Sequence, residues 1–520
     1  MIRTPRSPRF THLASLVLLL AFAVRVPFLT GDRRLHADEA YFAAFARNAV
    51  LYGDWMLPGD LDKPPLAIYA MAFSMALFAA HPMPSGVLDM SVYAGEMAVR
   101  LPGLLAAVVT VGALTGAARR LYRSQGAALW SGVLLALSPI GIVFGATGFT
   151  DGLMLMGGAL ALRAAAGGAP GWTGVWLGAA IAAKPQGVFF IPFALIVLWS
   201  QGELRLIGLA RLGTAIALWG VGLVGWDAAR GAVTPFYALG AANNPLAPFA
   251  PPEAIIARAT RWLGYIGTWL GWALPLLTYA AWRGRTRSAK PVVERFRARG
   301  RDRSRPYRSC RRRDNACILR WTTFSLWLRR SPNAWLLLTI IGYLLLHVLG
   351  GVAVYDRYAL IPLIPTCLLL GQGGTWLGRR PLLLGLAGLA LVWGVIDAHG
   401  ERLPVGGDGG DGRYGVMEGI DRLAGWTDAL PTASVVYNPW LGWHMRFYRS
   451  AWADERFVHY PTPDALAPGA AALDERGVRW LIAPRSTDLH EWVIALETRG
   501  FAARLETYIG NFAVLRLEPP

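Results

Sequence analysis

Apolar runs separated by short polar or basic turns fill the chain from Leu13 to Ile396. The first is Leu13 to Phe28, and a second opens at Arg100 and closes at Arg119-Arg120-Arg123. Ala127–Phe144, Gly152–Leu162, Trp172–Ala183, Val188–Trp199, Leu212–Ala228, Trp262–Trp282, Asn333–Leu349, Ala359–Leu370 and Pro381–Ile396 follow. Several approach the roughly 20 residues a helix needs to cross a bilayer, and the pattern predicts a polytopic α-helical membrane protein with about eleven transmembrane helices. Leu66–Ala80 is too short to join them. At 1.5 Å per residue it covers about 22 Å, short of the roughly 30 Å hydrocarbon core, which predicts an interfacial or re-entrant helix. Parity supports this: with Leu66–Ala80 not crossing, Arg119, Arg120 and Arg123 fall on the cytoplasmic side, as the positive-inside rule asks.

Arg3, Arg6 and Arg9 precede the first run in the manner of a signal peptide, but Arg25-Val26-Pro27 stands where small cleavage-site residues belong. The expectation is a retained first helix running outward, which places residues 31–100 outside as the first external loop. Gly406 to Gly412 is glycine-rich and marks a linker over 398–415, closing a transmembrane domain of residues 1–397. Beyond it the period changes. Helices are expected near Met417–Leu430, Leu441–Arg449, Ala465–Arg476 and Thr487–Arg499, alternating with strands at Ser434–Tyr437, Val478–Ala483 and Phe512–Leu517. Residues 416–520 therefore read as a small extracytoplasmic α/β domain with no glycine-rich phosphate loop after a strand.

Composition agrees with a membrane class: 54% hydrophobic and only 16% charged residues, against about a quarter charged in soluble domains. The net charge of +18 invites a nucleic-acid reading. Yet 17 of the 51 basic residues lie between Arg283 and Arg330 against three acids, and a basic, Pro- and Ser-bearing cytoplasmic loop accounts for them without nucleic acid. Cys310, Cys317 and Cys367 offer neither a disulfide framework nor a zinc site.

With parity set, Asp38, Glu39, Asp62, Lys63, Arg100, Asp151, Lys184 and Arg357 all fall on the external side. Charges beside a bilayer are costly, and their convergence suits an anionic group at the membrane surface together with a carboxylate able to take a proton. A phosphate leaving group needs no protonating acid; it asks for one base to deprotonate an acceptor hydroxyl and for cations to hold the growing phosphate charge. Asp38 and Glu39 supply base candidates that point in different directions. Each residue also has a plainer reading. Asp38 could N-cap a helix from Glu39 to Val50, with Arg47 complementing its dipole; Asp151 could cap the helix after Thr150; the cations could mark membrane boundaries.

His36-Ala37-Asp38-Glu39-Ala40-Tyr41, Gly53-Asp54-Trp55 and Asp62-Lys63-Pro64-Pro65-Leu66 resemble the first external loop of dolichyl-phosphate-mannose mannosyltransferase-like and aminoarabinose-transferase-like membrane glycosyltransferases. Ala98 to Gly103, Ala183-Lys184-Pro185 and Arg357 to Pro362 resemble later landmarks in the same order. The resemblance covers roughly Met1 to Ile396 apart from the basic segment. It implies a GT-C fold, a polyprenyl-phosphate-linked sugar donor and inversion at the anomeric carbon. It also implies Asp38 as catalytic base supported by Glu39, and Lys63 and Lys184 on the lipid phosphate, joined with less defined roles by Arg100 and Arg357. Asp151 would line the acceptor side, with Asp62 and Tyr41 lining the site. Relatives differ in metal requirement, and no ligand cluster for a divalent cation stands out in the chain.

The expected function is polyprenyl-phosphate-dependent sugar transfer to a lipid, glycan or protein acceptor at the outer face of a bacterial-type cytoplasmic membrane. Two rivals stay open. A lipid-linked-sugar transporter would want mid-membrane ionisable groups and paired half-symmetric repeats. A membrane-anchored scaffold would use the aromatic-basic stretch Asn438 to Arg449 as a partner surface, although that stretch could equally dock the C-terminal domain onto the membrane part.

Overall fold

A computed structural model describes residues 8–243, 249–283, 332–352, 354–400, 402–403, 417–450, 456–473 and 478–520. The chain is a helical polytopic membrane protein with a mixed-sheet C-terminal domain. Among the described residues six helices are long and apolar enough to cross a membrane: Pro8–Thr30, Val92–Tyr122, Leu206–Ala229, Pro332–Leu349, Asp356–Leu377 and Pro381–His399. The other expected crossings are short or interrupted. Ala127–Phe144 is two helices, Gln125–Ala136 and Pro139–Val143, because Pro139 cannot donate the hydrogen bond that continuing the first would need. The basic segment 284–330 and most of the glycine-rich linker, residues 404–415, lie outside the described residues.

The interruption is held by Arg25. Its guanidinium donates to the carbonyls of Ala21 (2.9 Å), Ala136 (3.0 Å), Leu135 (3.3 Å) and Gly141 (3.0 Å), and the residue is 1% exposed. Carbonyls freed where the helix stops thus find a donor inside the bundle rather than in lipid.

In the C-terminal domain β3 (Val435–Asn438), β4 (Arg456–His459), β5 (Arg479–Pro484), β6 (Ala502–Ile509) and β7 (Phe512–Glu518) form one sheet in the order β4-β3-β5-β7-β6. β3 is parallel to β4 and β5, whereas β7 is antiparallel to β5 and β6. The expected strands are β3, β5 and β7, the buried ones. β4 and β6 escaped the sequence reading because they are edge strands whose partly exposed residues never make an apolar run. A two-stranded hairpin of β1 (Ala80–Pro82) and β2 (Leu88–Met90) in the first loop was likewise unforeseen.

Strand alternation gives this sheet two apolar faces. Val435, Tyr437, Leu481 and Leu515 pack with Leu466, Trp492 and Leu496 from the domain's own helices. Val436, Trp480, Ile482 and Val514 instead share a core with Phe42, Phe45, Ile68 and Met71 of the first loop. The loop and the sheet are one packed body.

Candidate active site

The loop helix Ala37–Tyr52 begins with a residue the sequence reading did not single out. His36 is its N-cap: Nδ1 accepts the Asp38 N–H at 3.2 Å, and Glu39 Oε2 accepts the His36 N–H at 2.9 Å. Asp38 is therefore in the first turn and is not the cap, which corrects the capping alternative. Burial holds His36 below its ordinary range against the pull of Asp38 and Glu39, so the ring is neutral and its Nδ1 can accept. Thr150 occupies the cap before Asp151, without a side-chain capping bond.

The two adjacent carboxylates differ in environment. Glu39 is fully buried; Oε1 accepts the Gly148 N–H at 2.7 Å, and Arg100 Nη2 lies 3.6 Å from Oε2. Gly148 is required for this approach, since a Cβ there would collide with Val99. Arg100 also donates to the Arg34 carbonyl at 3.2 Å and is 2% exposed. Asp38 keeps 45% of its side chain exposed and pairs through Oδ2 with Arg357 Nη1 at 2.6 Å, 319 residues away. Burial pushes the Asp38 carboxyl up, but Arg357 pulls it further down, leaving it below its usual value.

The remaining charges also meet in pairs. Lys184 Nζ donates to both carboxylate oxygens of Asp151 at 2.8 Å and sits 5.4 Å from the Tyr358 ring centre. Lys63 Nζ lies 2.5 Å from Asp62 Oδ2, which also accepts from Asn243 at 3.1 Å. Tyr41 donates to the Asp60 carbonyl (2.8 Å) and accepts the Asp62 N–H (2.9 Å), fastening the lysine-bearing turn to the loop helix. Lys184 is close enough to act electrostatically on Asp38, and Arg357 and Lys63 to act on Lys184. The structure thus brings together Asp38, Arg357, Lys184, Asp151 and Lys63, with Asp62 and Tyr41 beside Lys63, and sets Glu39 and Arg100 beneath them.

An apolar cavity of about 490 Å³ begins beside this cluster. Pro65 and Leu66 line it immediately after Lys63, Ala182 just before Lys184, and Trp219 and Trp226 line it as well. Among the described residues no group of three or more His, Cys, Asp or Glu is placed to hold a metal ion.

Sequence reasoning missed several supports. Arg230 pairs with Asp227 at 2.8 Å and donates to the carbonyls of Leu57 (3.1 Å) and Gly59 (3.3 Å), bracing the turn before Lys63; its spacing from Asp227 was the visible signal. Glu96, given no role, accepts from Tyr448 of the C-terminal domain and lies 3.3 Å from Arg34. No local pattern announces a partner so distant in sequence.

Residues 62–226 match the family model described as dolichyl-phosphate-mannose-protein mannosyltransferase. No curated protein matches the chain. Among solved structures, ArnT from Cupriavidus metallidurans in the apo state is similar over 97% of both chains, with TM-score 0.57 at 15% identity. The same protein bound to undecaprenyl phosphate is similar over 98% of both chains, with TM-score 0.58 at 14% identity. The Archaeoglobus fulgidus oligosaccharyltransferase in the apo form is similar over 96% of this chain and 73% of its own, with TM-score 0.54 at 12% identity. At these identities the three structures establish a shared fold.

Proposed function

We propose that this glycosyltransferase, whose residues 62–226 match the dolichyl-phosphate-mannose-protein mannosyltransferase model, moves a sugar with inversion from a polyprenyl-phosphate donor to an envelope acceptor. The acceptor is a hydroxyl- or amine-bearing glycan, lipid or protein. The observation that carries the reading is Asp38: a half-exposed carboxylate with one oxygen held by Arg357 and no hydrogen bond to the other among the described residues.

In the reaction the acceptor oxygen attacks the anomeric carbon as the bond to the lipid phosphate breaks. Asp38 Oδ1 takes the hydroxyl proton, which becomes acidic as the new bond forms, so a weakly basic carboxylate suffices. The phosphate leaves as an anion beside Lys184 and Arg357, whose fixed charges favour the transition state, while Lys63 holds the donor phosphate equally in ground and transition states. Lys184 would divide its charge between Asp151 and the phosphate, and Asp151 would turn toward the acceptor. The donor's prenyl chain fits the apolar cavity that opens next to both lysines. Glu39 and Arg100 support Asp38 from below and touch neither substrate. Undecaprenyl phosphate, which the similar Cupriavidus protein binds, agrees with such a donor.

The topology that goes with this reading has about eleven crossings, the short helices spanning within the bundle, and the first loop and residues 416–520 outside a bacterial-type cytoplasmic membrane. The test uses the full chain in detergent, where no vectorial transport exists. A panel of undecaprenyl-phosphate-linked hexoses and pentoses is offered with an envelope extract as acceptor, and released undecaprenyl phosphate is measured. Acceptor-dependent release that disappears in Asp38→Asn is expected; release unaffected by that change overturns the reading.

A further inference from the structure

The face of the C-terminal sheet that carries Val436, Trp480, Ile482 and Val514 does more than cover the first loop. The short helix Gly442–Tyr448 lies between the sheet and the loop helix and binds the latter near both its ends. Before its start, Leu35 is completely buried and has no partner of its own loop for either backbone group. Its N–H donates to the Tyr448 hydroxyl at 2.7 Å, and its carbonyl lies 3.2 Å from His444 Nε2. The Tyr448 hydroxyl in turn donates to Glu96 on the helix Val92–Tyr122. Toward its other end, Arg47 donates to the carbonyls of Arg446 (3.1 Å) and Arg449 (2.9 Å). Between them the Trp443 ring meets Tyr41 edge-on with centres 4.6 Å apart.

These contacts converge on the cap that aims Asp38. Leu35 immediately precedes His36, and Asp38 is in the following turn. A shift of the Leu35 backbone moves His36, the Asp38 N–H it accepts and the Glu39 carboxylate that accepts from it. We propose that Tyr448, on the C-terminal domain, is a positioning residue for Asp38, clamping Leu35 between that domain and Glu96 so that the carboxylate stays in line with the acceptor. The proposal rests on the reading of Asp38 as the base. It makes the C-terminal domain a working part of the transfer site, although no atom of it is assigned to substrate.

The donors at this contact are committed. Tyr448 spends its single proton on Glu96 and accepts the Leu35 N–H, so one hydroxyl closes two buried needs. Tyr448→Phe keeps the packing and deletes both bonds. The loss then falls on the loop cap and spares the apolar core around it.

The experiment compares wild type, Tyr448→Phe and Asp38→Asn as full-length proteins in detergent, with the undecaprenyl-phosphate-linked sugar that the wild type turns over. Misplacement of a reacting group by about an ångström costs on the order of a hundredfold, so kcat should fall by about 10- to 100-fold in Tyr448→Phe while the donor KM stays within about twofold. Amide exchange over residues 35–39 should rise by about tenfold with the rest of the loop helix protected. If kcat and local exchange are both those of the wild type while Asp38→Asn is inactive, the positioning role is overturned and the base stands. If Asp38→Asn remains active, the base reading itself fails. A Tyr448→Phe protein that loses only folded fraction, with wild-type kcat per folded molecule, also overturns the proposal. Should that variant not fold, Glu96→Ala removes the acceptor of the Tyr448 proton from the membrane side, and wild-type kcat there overturns it equally.

Discussion

Exchanging each of the adjacent carboxylates Asp38 and Glu39 for its amide is expected to give opposite phenotypes. In Glu39→Gln one oxygen remains where two now accept, from Gly148 at 2.7 Å and His36 at 2.9 Å. The new amide group must face one of those N–H donors, which forfeits a charge-assisted bond of about 1.5–3 kcal/mol. Arg100, 2% exposed, is left beside a neutral group, and breaking a buried ion pair from one side costs about 3–5 kcal/mol in comparable cases. The two losses overlap, and about 4 kcal/mol is a fair sum, enough to lower a melting midpoint by several degrees. In Asp38→Asn the lost pair with Arg357 is 45% exposed on the acid side, and solvent screening reduces its worth to about 1 kcal/mol. Transfer, however, loses its base and should fall by about 10²–10⁴-fold. Both proteins are assayed for intrinsic tryptophan melting and for release of undecaprenyl phosphate. A Glu39→Gln protein that melts like the wild type yet transfers nothing, beside an active Asp38→Asn, would refute the division of labour.

Lys63→Ala should raise the donor KM by about tenfold and leave kcat within a few-fold, the mark of binding energy used equally in ground and transition states; a kcat loss at constant KM contradicts it. Burial pushes the His444 imidazole down from 6.5 to about 4, so its neutral form is the one that docks on Leu35. The corresponding stability is complete above about pH 6.5 and is lost as pH falls toward about 4, some 3 kcal/mol in all, and amide exchange at the domain contact should rise over that window; a flat exchange profile refutes this. Asp38, held below its usual value, stays ionised across the same window, so an acid loss of transfer there should disappear in His444→Gln if undocking causes it. Gly148→Ala forces its Cβ into Val99 and separates Glu39 from the 148 amide, and a loss of about 1–3 kcal/mol of stability, read as a lower melting midpoint, is expected; an unchanged midpoint would show that the loop can yield.

Hydropathy and charge made the membrane class, the first polar loop and the buried strands legible, because apolar runs and helix-end charges are local properties. The gathering of acids with bases was legible as well, but their one-to-one matching was not. Nothing near Asp38 names Arg357, 319 positions on, and nothing near Lys184 names Asp151, 33 positions back. Asp38 and Glu39 look alike in sequence; only the presence of Gly148 and Arg100 under one of them separates their environments. The aromatic-basic stretch from Asn438 was recognised as able to dock. Which surface it meets depends on the sheet face behind it, a tertiary fact.

The Arg25 clasp bears on how the chain is made. Its guanidinium serves carbonyls at Ala136 and Gly141 that a lipid environment would leave unanswered. The interrupted pair of helices emerges from the ribosome more than a hundred residues after Arg25, so its donor is already in place when it arrives. The first helix is thereby a template for the later one, and the order of synthesis matches the order in which the two can be stable. A chain in which that segment entered the bilayer first would have to hold its open carbonyls against hydrocarbon until the arginine came.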